Sequence, residues 1–219
     1  LSAVVIREGR VVERIYETRD PVLKNFYFMV YDYIIGGVGA GKPISFKDIE
    51  GRSTGTMDTH YGGLTPHIEI QIGNGTDPVT PSDYKLSNLL YTNSTPSESL
   101  NENATYIYYN YTATFFIDAD VNISEVGLAV RDVDNYPGAS TLAMTILITR
   151  ELLDAPIELK SGDYLIVSYT IYIRKSGNFV EGFYNLTHNY LLRASSMQYL
   201  WFKDINGLTH RSVSYTHLR

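Results

Sequence analysis

A chain of 219 residues, 44% hydrophobic and 13% aromatic, has enough apolar side chain to bury the core of one large β-rich domain. Its net charge of −6 offers no basic footprint for phosphates and argues against a nucleic-acid partner. No stretch approaches the roughly 18 apolar residues of a helical membrane span, so membrane insertion is not expected either.

Residues 2–18 hold the apolar runs Ala3-Val4-Val5-Ile6, Val11-Val12 and Ile15-Tyr16, with Arg7-Glu8-Gly9-Arg10 between the first two and Asp20-Pro21 after them. The leading run is too short for a signal peptide and fits what remains after one has been removed. Two readings of the segment stand. One is an opening hairpin turning at Glu8-Gly9. The other is an extended N-terminal arm, residues 1–20, that leaves its own domain and adds a strand to a neighbour's sheet edge. In the second reading Val4, Ile6, Val11 and Ile15 are the donor side chains.

Residues 25–35 alternate Phe26, Phe28 and Val30 with Tyr27, Met29 and Tyr31, which predicts a strand. Gly36 to Lys42 imitates a phosphate loop, but Pro43 stands where Ser or Thr is needed and no helix pattern follows, so nucleotide binding is rejected. Residues 50–65 are polar and glycine-rich. Asp58, His60 and His67 there have no metal-ligand spacing and read as an exposed loop. A strand is predicted over 66–72 and a turn over 73–78. Residues 82–90 give a helix, with Ser82 as N-cap and Leu86, Leu89 and Leu90 on one face. Residues 92–103, poor in hydrophobics, read as loop.

The core is predicted from three runs of period two. Over 106–118, Ile107, Tyr109, Tyr111, Ala113, Phe115 and Ile117 share one side. Over 141–150, Leu142, Met144, Ile146 and Ile148 do so, and over 163–174 Leu165, Val167, Tyr169, Ile171 and Ile173. A further strand begins at Glu125-Val126-Gly127-Leu128, and residues 153–157 with 160–163 read as the bend before the longest strand. Strand-like runs follow at 179–184, 189–193 and 198–202, the last with Trp201. The fold class expected is all-β, an antiparallel β-sandwich of jelly-roll type over residues 21–211, preceded by the arm. Residues 212–219 are similar to the translated read-through of a sequencing adapter and are set apart as a non-native tail.

Chemistry-bearing residues are few. Asp118 and Asp120, with Asp132 and Asp134 beyond the next strand, could hold calcium between strand ends. The plain alternative is a solvated acidic strand end, and no EF-hand is present because Ala129 stands at the bidentate position. The same four carboxylates are the best candidates for glycan hydrolysis, yet their clustering at strand ends speaks for cation binding or solvation, so no enzyme is expected. Asn-x-Ser/Thr occurs at Asn74, Asn93, Asn103, Asn110, Asn122 and Asn185, against roughly two by chance. Six sequons without a single cysteine point to a glycosylated, exported surface of archaeal rather than eukaryotic type. Tyrosine, at 19 residues against 8 phenylalanines, suits strands whose outer face meets sugar, water or a neighbouring subunit.

Two resemblances carry these observations further. Ile72-Gly73-Asn74-Gly75-Thr76, Asp83, Leu86, Glu125-Val126-Gly127-Leu128, Arg150-Glu151-Leu152-Leu153, Pro156 and Gly162 to Thr170 resemble the β-sandwich domains of virion appendage and tail-fibre-type proteins. The arm, the tyrosine and sequon richness and the lack of cysteine are similar to the subunits of archaeal extracellular filaments, the adhesive threads and cannula-type tubes. That resemblance implies a non-enzymatic structural subunit at the cell surface, a glycosylated homo-polymer assembled head to tail by donor-strand complementation. A capsid, tail or fibre protein of an archaeal virus or phage is the alternative.

Overall fold

The computed structural model describes residues 1–16, 22–28, 46–54, 67–103, 105–132, 144–174, 199–203 and 209–213. Thirteen strands occur among them: β1 Ser2–Arg7, β2 Arg10–Tyr16, β3 Phe46–Lys47, β4 Ser53–Thr54, β5 His67–Gly73, β6 Leu89–Asn93, β7 Ser97–Glu102, β8 Tyr106–Phe116, β9 Val121–Asp132, β10 Met144–Leu159, β11 Tyr164–Arg174, β12 Tyr199–Lys203 and β13 Thr209–Val213. One sheet has the order β2-β1-β11-β8-β7 and a second the order β10-β9-β5-β6, with antiparallel pairing throughout. Two small ribbons, β3–β4 and β12–β13, complete the set. β13 includes Ser212 and Val213, the first two residues of the segment set apart at the C-terminus.

Alternation builds the core as the sequence predicts. Tyr109, Tyr111, Ala113 and Phe115 of β8 and Leu165, Val167 and Tyr169 of β11 face Ile68, Ile70 and Ile72 of β5 and Val126, Leu128 and Val130 of β9 in one buried cluster. Two inner faces meeting through interdigitated side chains make an all-β sandwich. The chain crosses between the sheets at 94–96, 117–120 and 160–163, so β8 to β11 leave the first sheet and return with β11 beside β8. Among the described residues this makes one Greek-key-like return.

The second sheet is covered on its outer side as well. Leu23 and Leu86 pack there on Ala129 and Leu147, with Ile49 and Val79 beside them. Main-chain bonds from Leu23 to the Ile148 carbonyl and from Ile49 to the Thr145 carbonyl, both 2.9 Å, fasten the cover. Gly127 makes room for it, since a Cβ there would stand 2.7 Å from Leu147 and 2.9 Å from Leu86.

Four expectations fail, each for a physical reason. Residues 24–28 form a helical turn rather than a strand. The Asn25 amide donates to the Lys47 and Leu147 carbonyls, so the segment serves as a lid and its β-propensity is overridden. Residues 82–90 are not a helix, because the N–H groups of Ser87 and Asn88 go to the Glu125 carboxylate. Residues 92–103 are not one loop but the end of β6 and all of β7, a polar edge strand whose lack of hydrophobics hid it. The bend at 153–157 lies inside β10 as a bulge, the four residues 153–156 opposing Ser124 alone on β9, and includes Pro156, which has no N–H to give. Residues 29–35 of the predicted strand, the predicted glycine loop, Asp58, His60 and the strands at 179–184 and 189–193 lie outside the described residues.

Candidate assembly seam and outer sheet face

The N-terminal segment folds onto its own chain. Glu8 and Gly9 have φ of 51° and 74°, the two positive values of a tight hairpin turn, and β1 returns as β2. β1 also pairs with β11, from Ser2 opposite Ser168 to Ile6 opposite Tyr164. The hairpin reading therefore replaces the extended arm in this conformation. The donor set is corrected with it. Ala3 and Val5 are the buried residues, which turns Val4 and Ile6 to the outer face of the sheet; Val11 is 48% exposed. Of the four, Ile15 packs against the core, opposite Ala3. Three consecutive apolar residues, Val4 to Ile6, left the parity open, and the register with β11 decides it.

An ion pair fastens the turn end of this hairpin. Arg7 donates from Nε and Nη2 to the two oxygens of buried Asp163, at 2.9 and 2.7 Å, and the Lys160 N–H donates to Asp163 at 2.8 Å. The Arg7 hydrogen bonds hold the Asp163 carboxyl below the usual carboxylate range, against burial, which pushes it up. A depressed carboxyl contributes stability above its unfolded value, about 3.9, and loses it as pH falls through the folded value. The denaturation midpoint of the wild type should therefore drop more steeply than that of Asp163→Asn as pH falls from 5 to 2. Parallel curves would contradict the assignment.

Five of the six sequon asparagines are among the described residues. Asn74, Asn103 and Asn122 are exposed, and Asn93 and Asn110 are half-buried. The Asn74 Oδ1 accepts from the Asn88 amide, and the Asn103 Oδ1 accepts from the N–H groups of Thr105 and Tyr106. Asn93 donates to the Thr114 carbonyl and accepts from the Thr95 N–H. Asn185 is outside the described residues.

The three described aspartates of the candidate calcium set do not converge. Asp118 accepts from the Tyr91 hydroxyl at 2.7 Å, while Asp120 accepts from Lys160 Nζ and the Ser161 N–H, both at 3.0 Å. Asp132 ends β9, which begins at Val121, so it stands at the opposite end of a twelve-residue strand, roughly 35–40 Å away. Asp134 is outside the described residues. Among the described residues no three His, Cys, Asp or Glu are grouped to hold a metal ion. Among the described residues the candidate calcium carboxylates are spent apart from one another: Asp118 accepts from Tyr91 of β6 and Asp120 from the 160–161 turn, at one end of the sandwich.

Sequence reasoning missed the most strongly bonded cluster. Arg150, 2% exposed, donates from Nε to Glu125 at 2.9 Å, from Nη1 to Asp83 at 2.6 Å, and from Nη2 to the Asp77 carbonyl and Ser87 Oγ at 2.9 and 2.7 Å. Glu125, 0% exposed, also accepts the N–H groups of Gly75, Ser87 and Asn88. Burial raises the Asp83 carboxyl, but hydrogen bonds from Thr80 and Arg150 outweigh it and hold the group below its ordinary value. One guanidinium thus pins the whole 74–88 loop onto the second sheet. The signal in the sequence was an arginine and a glutamate each set inside an apolar strand pattern. Gly75 is tied to the same cluster, because a Cβ there would stand 2.3 Å from Glu125 Oε1 and 2.4 Å from the Ser87 Cβ. Gly75→Ala should therefore destabilise the fold by about 1–3 kcal/mol in urea unfolding; an unchanged midpoint would show that the loop is not held this way.

Comparison with protein-family models, curated proteins and solved structures finds no match to this chain.

Proposed function

We propose that this chain is a non-enzymatic structural subunit of an extracellular, glycosylated archaeal filament that polymerises head to tail by exchanging its N-terminal segment. The observation that carries the reading is the seam between β1 and β11. Ala3 and Val5 fill positions in the common core, yet among the described residues their hairpin is bonded through its main chain to the rest of the sandwich along β11 alone. Lift the hairpin away and β11 becomes an open edge beside two emptied core positions. Filling that slot with residues 1–16 of the next copy is strand donation by a hairpin, at little cost, because the contacts exchanged are identical. A heterologous contact of this kind whose rotation does not close propagates as an open filament, which is the assembly proposed. In this reading the sandwich is of jelly-roll type, the leading segment acts as the arm of the assembled state, and sequon-linked sugars cover the outside at the cell surface.

The test is truncation. The chain lacking residues 1–16 should remain β-rich and fail to form filaments in negative stain, and a peptide of residues 1–16 should bind it. Normal filaments from the truncated chain would refute the exchange.

A second reading, a virion capsid, tail or fibre module, is favoured by two observations. The hairpin closes on its own chain, as a self-contained module needs. The residues carrying the virion-type resemblance also converge in space: Glu125 is bonded by Gly75 and Arg150, Arg150 by Asp83, and Leu86 lies over Gly127. Nucleic acid inside purified native particles would decide for this reading, and its absence from purified threads for the first.

A further inference from the structure

The outer face of the five-stranded sheet carries aromatic rings that the core does not use. Tyr172 is 64% exposed and lies opposite Tyr108, with ring centroids 5.7 Å apart and planes 34° from parallel. Tyr106 meets the same Tyr172 edge-on at 6.0 Å. The sequon Asn110-Tyr111-Thr112 lies beside this patch, in the middle of β8. Because Tyr109 and Tyr111 are buried, Tyr108, Asn110 and Thr112 share the outer face.

Three of the six sequons repeat this arrangement in sequence, with an aromatic residue two before the asparagine and threonine two after: Tyr91 and Thr95 around Asn93, Tyr108 and Thr112 around Asn110, Phe183 and Thr187 around Asn185. At 13% aromatic content, fewer than one of six would do so by composition. Tyr91 is spent on other contacts, its hydroxyl on Asp118 and its ring on the core. Asn185 lies outside the described residues. At Asn110 the pattern and the geometry coincide.

We propose that Asn110 carries an N-linked glycan whose first sugar lies against Tyr108 and Tyr172. The inference rests on the reading of the chain as exported and glycosylated. In the linking step, Asn110 Nδ2 forms a bond to the anomeric carbon of a lipid-diphosphate-activated sugar. The bond from that carbon to the diphosphate oxygen breaks, and one amide proton leaves. Only Nδ2 is consumed. Oδ1 keeps the 2.6 Å hydrogen bond it accepts from Thr170 Oγ1, which fixes the plane of the amide and hence the direction in which the sugar leaves the sheet. The residues opposite Asn110 are Thr170 on β11 and Ser99 on β7, both small, so the trough along the strand is open to a pyranose. Tyr108, two residues away on the same face, and diagonal Tyr172 are within reach of its first ring, whose C–H bonds meet the negative face of the aromatic system. Thr112, held to Ser168 at 2.8 Å, borders the trough on the other side with hydroxyls that can bond the sugar's polar groups. The exposed tyrosines are thereby covered by the chain's own sugar.

The test uses the full chain produced in a eukaryotic secretory host and, without glycans, in bacteria. Intact glycopeptides read by mass spectrometry should show Asn110 occupied. The glycosylated protein should melt about 2–4 °C above the unglycosylated one, and in Tyr108→Ser the difference between the variant's own glycosylated and unglycosylated forms should fall by at least half. In the wild type, the ring protons of the first sugar should be shifted upfield by the tyrosine ring current, and in Tyr108→Ser that shift should disappear. An empty Asn110 beside any occupied sequon would overturn the proposal alone. So would an occupied Asn110 whose glycan gives the same increment and the same shifts with and without Tyr108. Six empty sequons would overturn the glycosylated reading itself and this inference with it.

Discussion

Replacing Arg150 by methionine is expected to cost about 3–5 kcal/mol in urea unfolding, more than any other single truncation in the molecule. The cost arises less from the lost attraction than from what is left behind. Glu125, fully buried, would keep the three N–H groups of Gly75, Ser87 and Asn88 but lose its counter-ion. Asp83 would keep its bonds from Thr80 but lose its cation, and the Asp77 carbonyl and Ser87 hydroxyl would lose the donation from Arg150. Methionine fills much of the volume, so packing changes little and the electrostatic part dominates. Adding Glu125→Gln to Arg150→Met should therefore destabilise less than the two single changes added together, because the uncompensated charge is gone. Hydrogen exchange should show the first loss of protection over residues 74–88, ahead of β8 and β11. A cost below about 1 kcal/mol, or strict additivity, would mean that the arginine is replaceable ornament on the loop.

Val5→Asp is expected to have the next largest effect, and it separates two accounts of the same segment. Val5 is 1% exposed in the common core, and the cation that shares its face of β1, Arg7, is already paired with Asp163. A carboxylate there meets an apolar environment and should cost several kcal/mol of hairpin binding. The sandwich need not unfold to escape that cost, since the hairpin can peel from β11. The expected result is rapid exchange of the amides in β1 and β2 with β8 to β10 still protected, increased binding of a hydrophobic dye, and no filaments. Val4→Asp, one residue away on the outer face, should change the denaturation midpoint by less than about 1 kcal/mol, the ordinary range for surface substitution. Equal effects at the two positions would mean that the register between Val4 and Ile166 is wrong.

Much of the sandwich was legible because one face of a strand is dry and the other wet. β8 and β11 show this alternation cleanly, and the residues assigned to their inner faces from 109 to 117 and from 165 to 169 are the buried ones. β10 is different. Residues 146–151 are buried without alternation, because the second sheet is covered on both sides, and the pattern that betrays a half-exposed strand is then lost. β7 failed for the opposite reason, an edge strand of Ser, Glu, Leu and Asn that buries too little to look like a strand. The 82–90 segment has leucines at helical spacing, but its backbone donors are claimed by Glu125, which lies more than thirty residues further on. No local pattern announces such a partner. The same holds for Arg150, whose ligands come from residues 77, 83, 87 and 125. At the N-terminus the sequence offered both the hairpin and the arm, and only the pairing of Ala3 with Val167 shows which side of β1 enters the core.

The absence of cysteine allows a direct measurement of whose hairpin fills the slot. Ala3 and Val167 are directly opposite residues on β1 and β11, and both are buried, so cysteines at the two positions are placed to form a disulfide. Assembled material from Ala3→Cys/Val167→Cys, oxidised and run on a denaturing gel without reductant, should give a ladder of covalent multimers that collapses to monomer on reduction. Oxidised filaments that yield monomer alone, with the bond closed inside each chain, would contradict exchange of the N-terminal hairpin between neighbours.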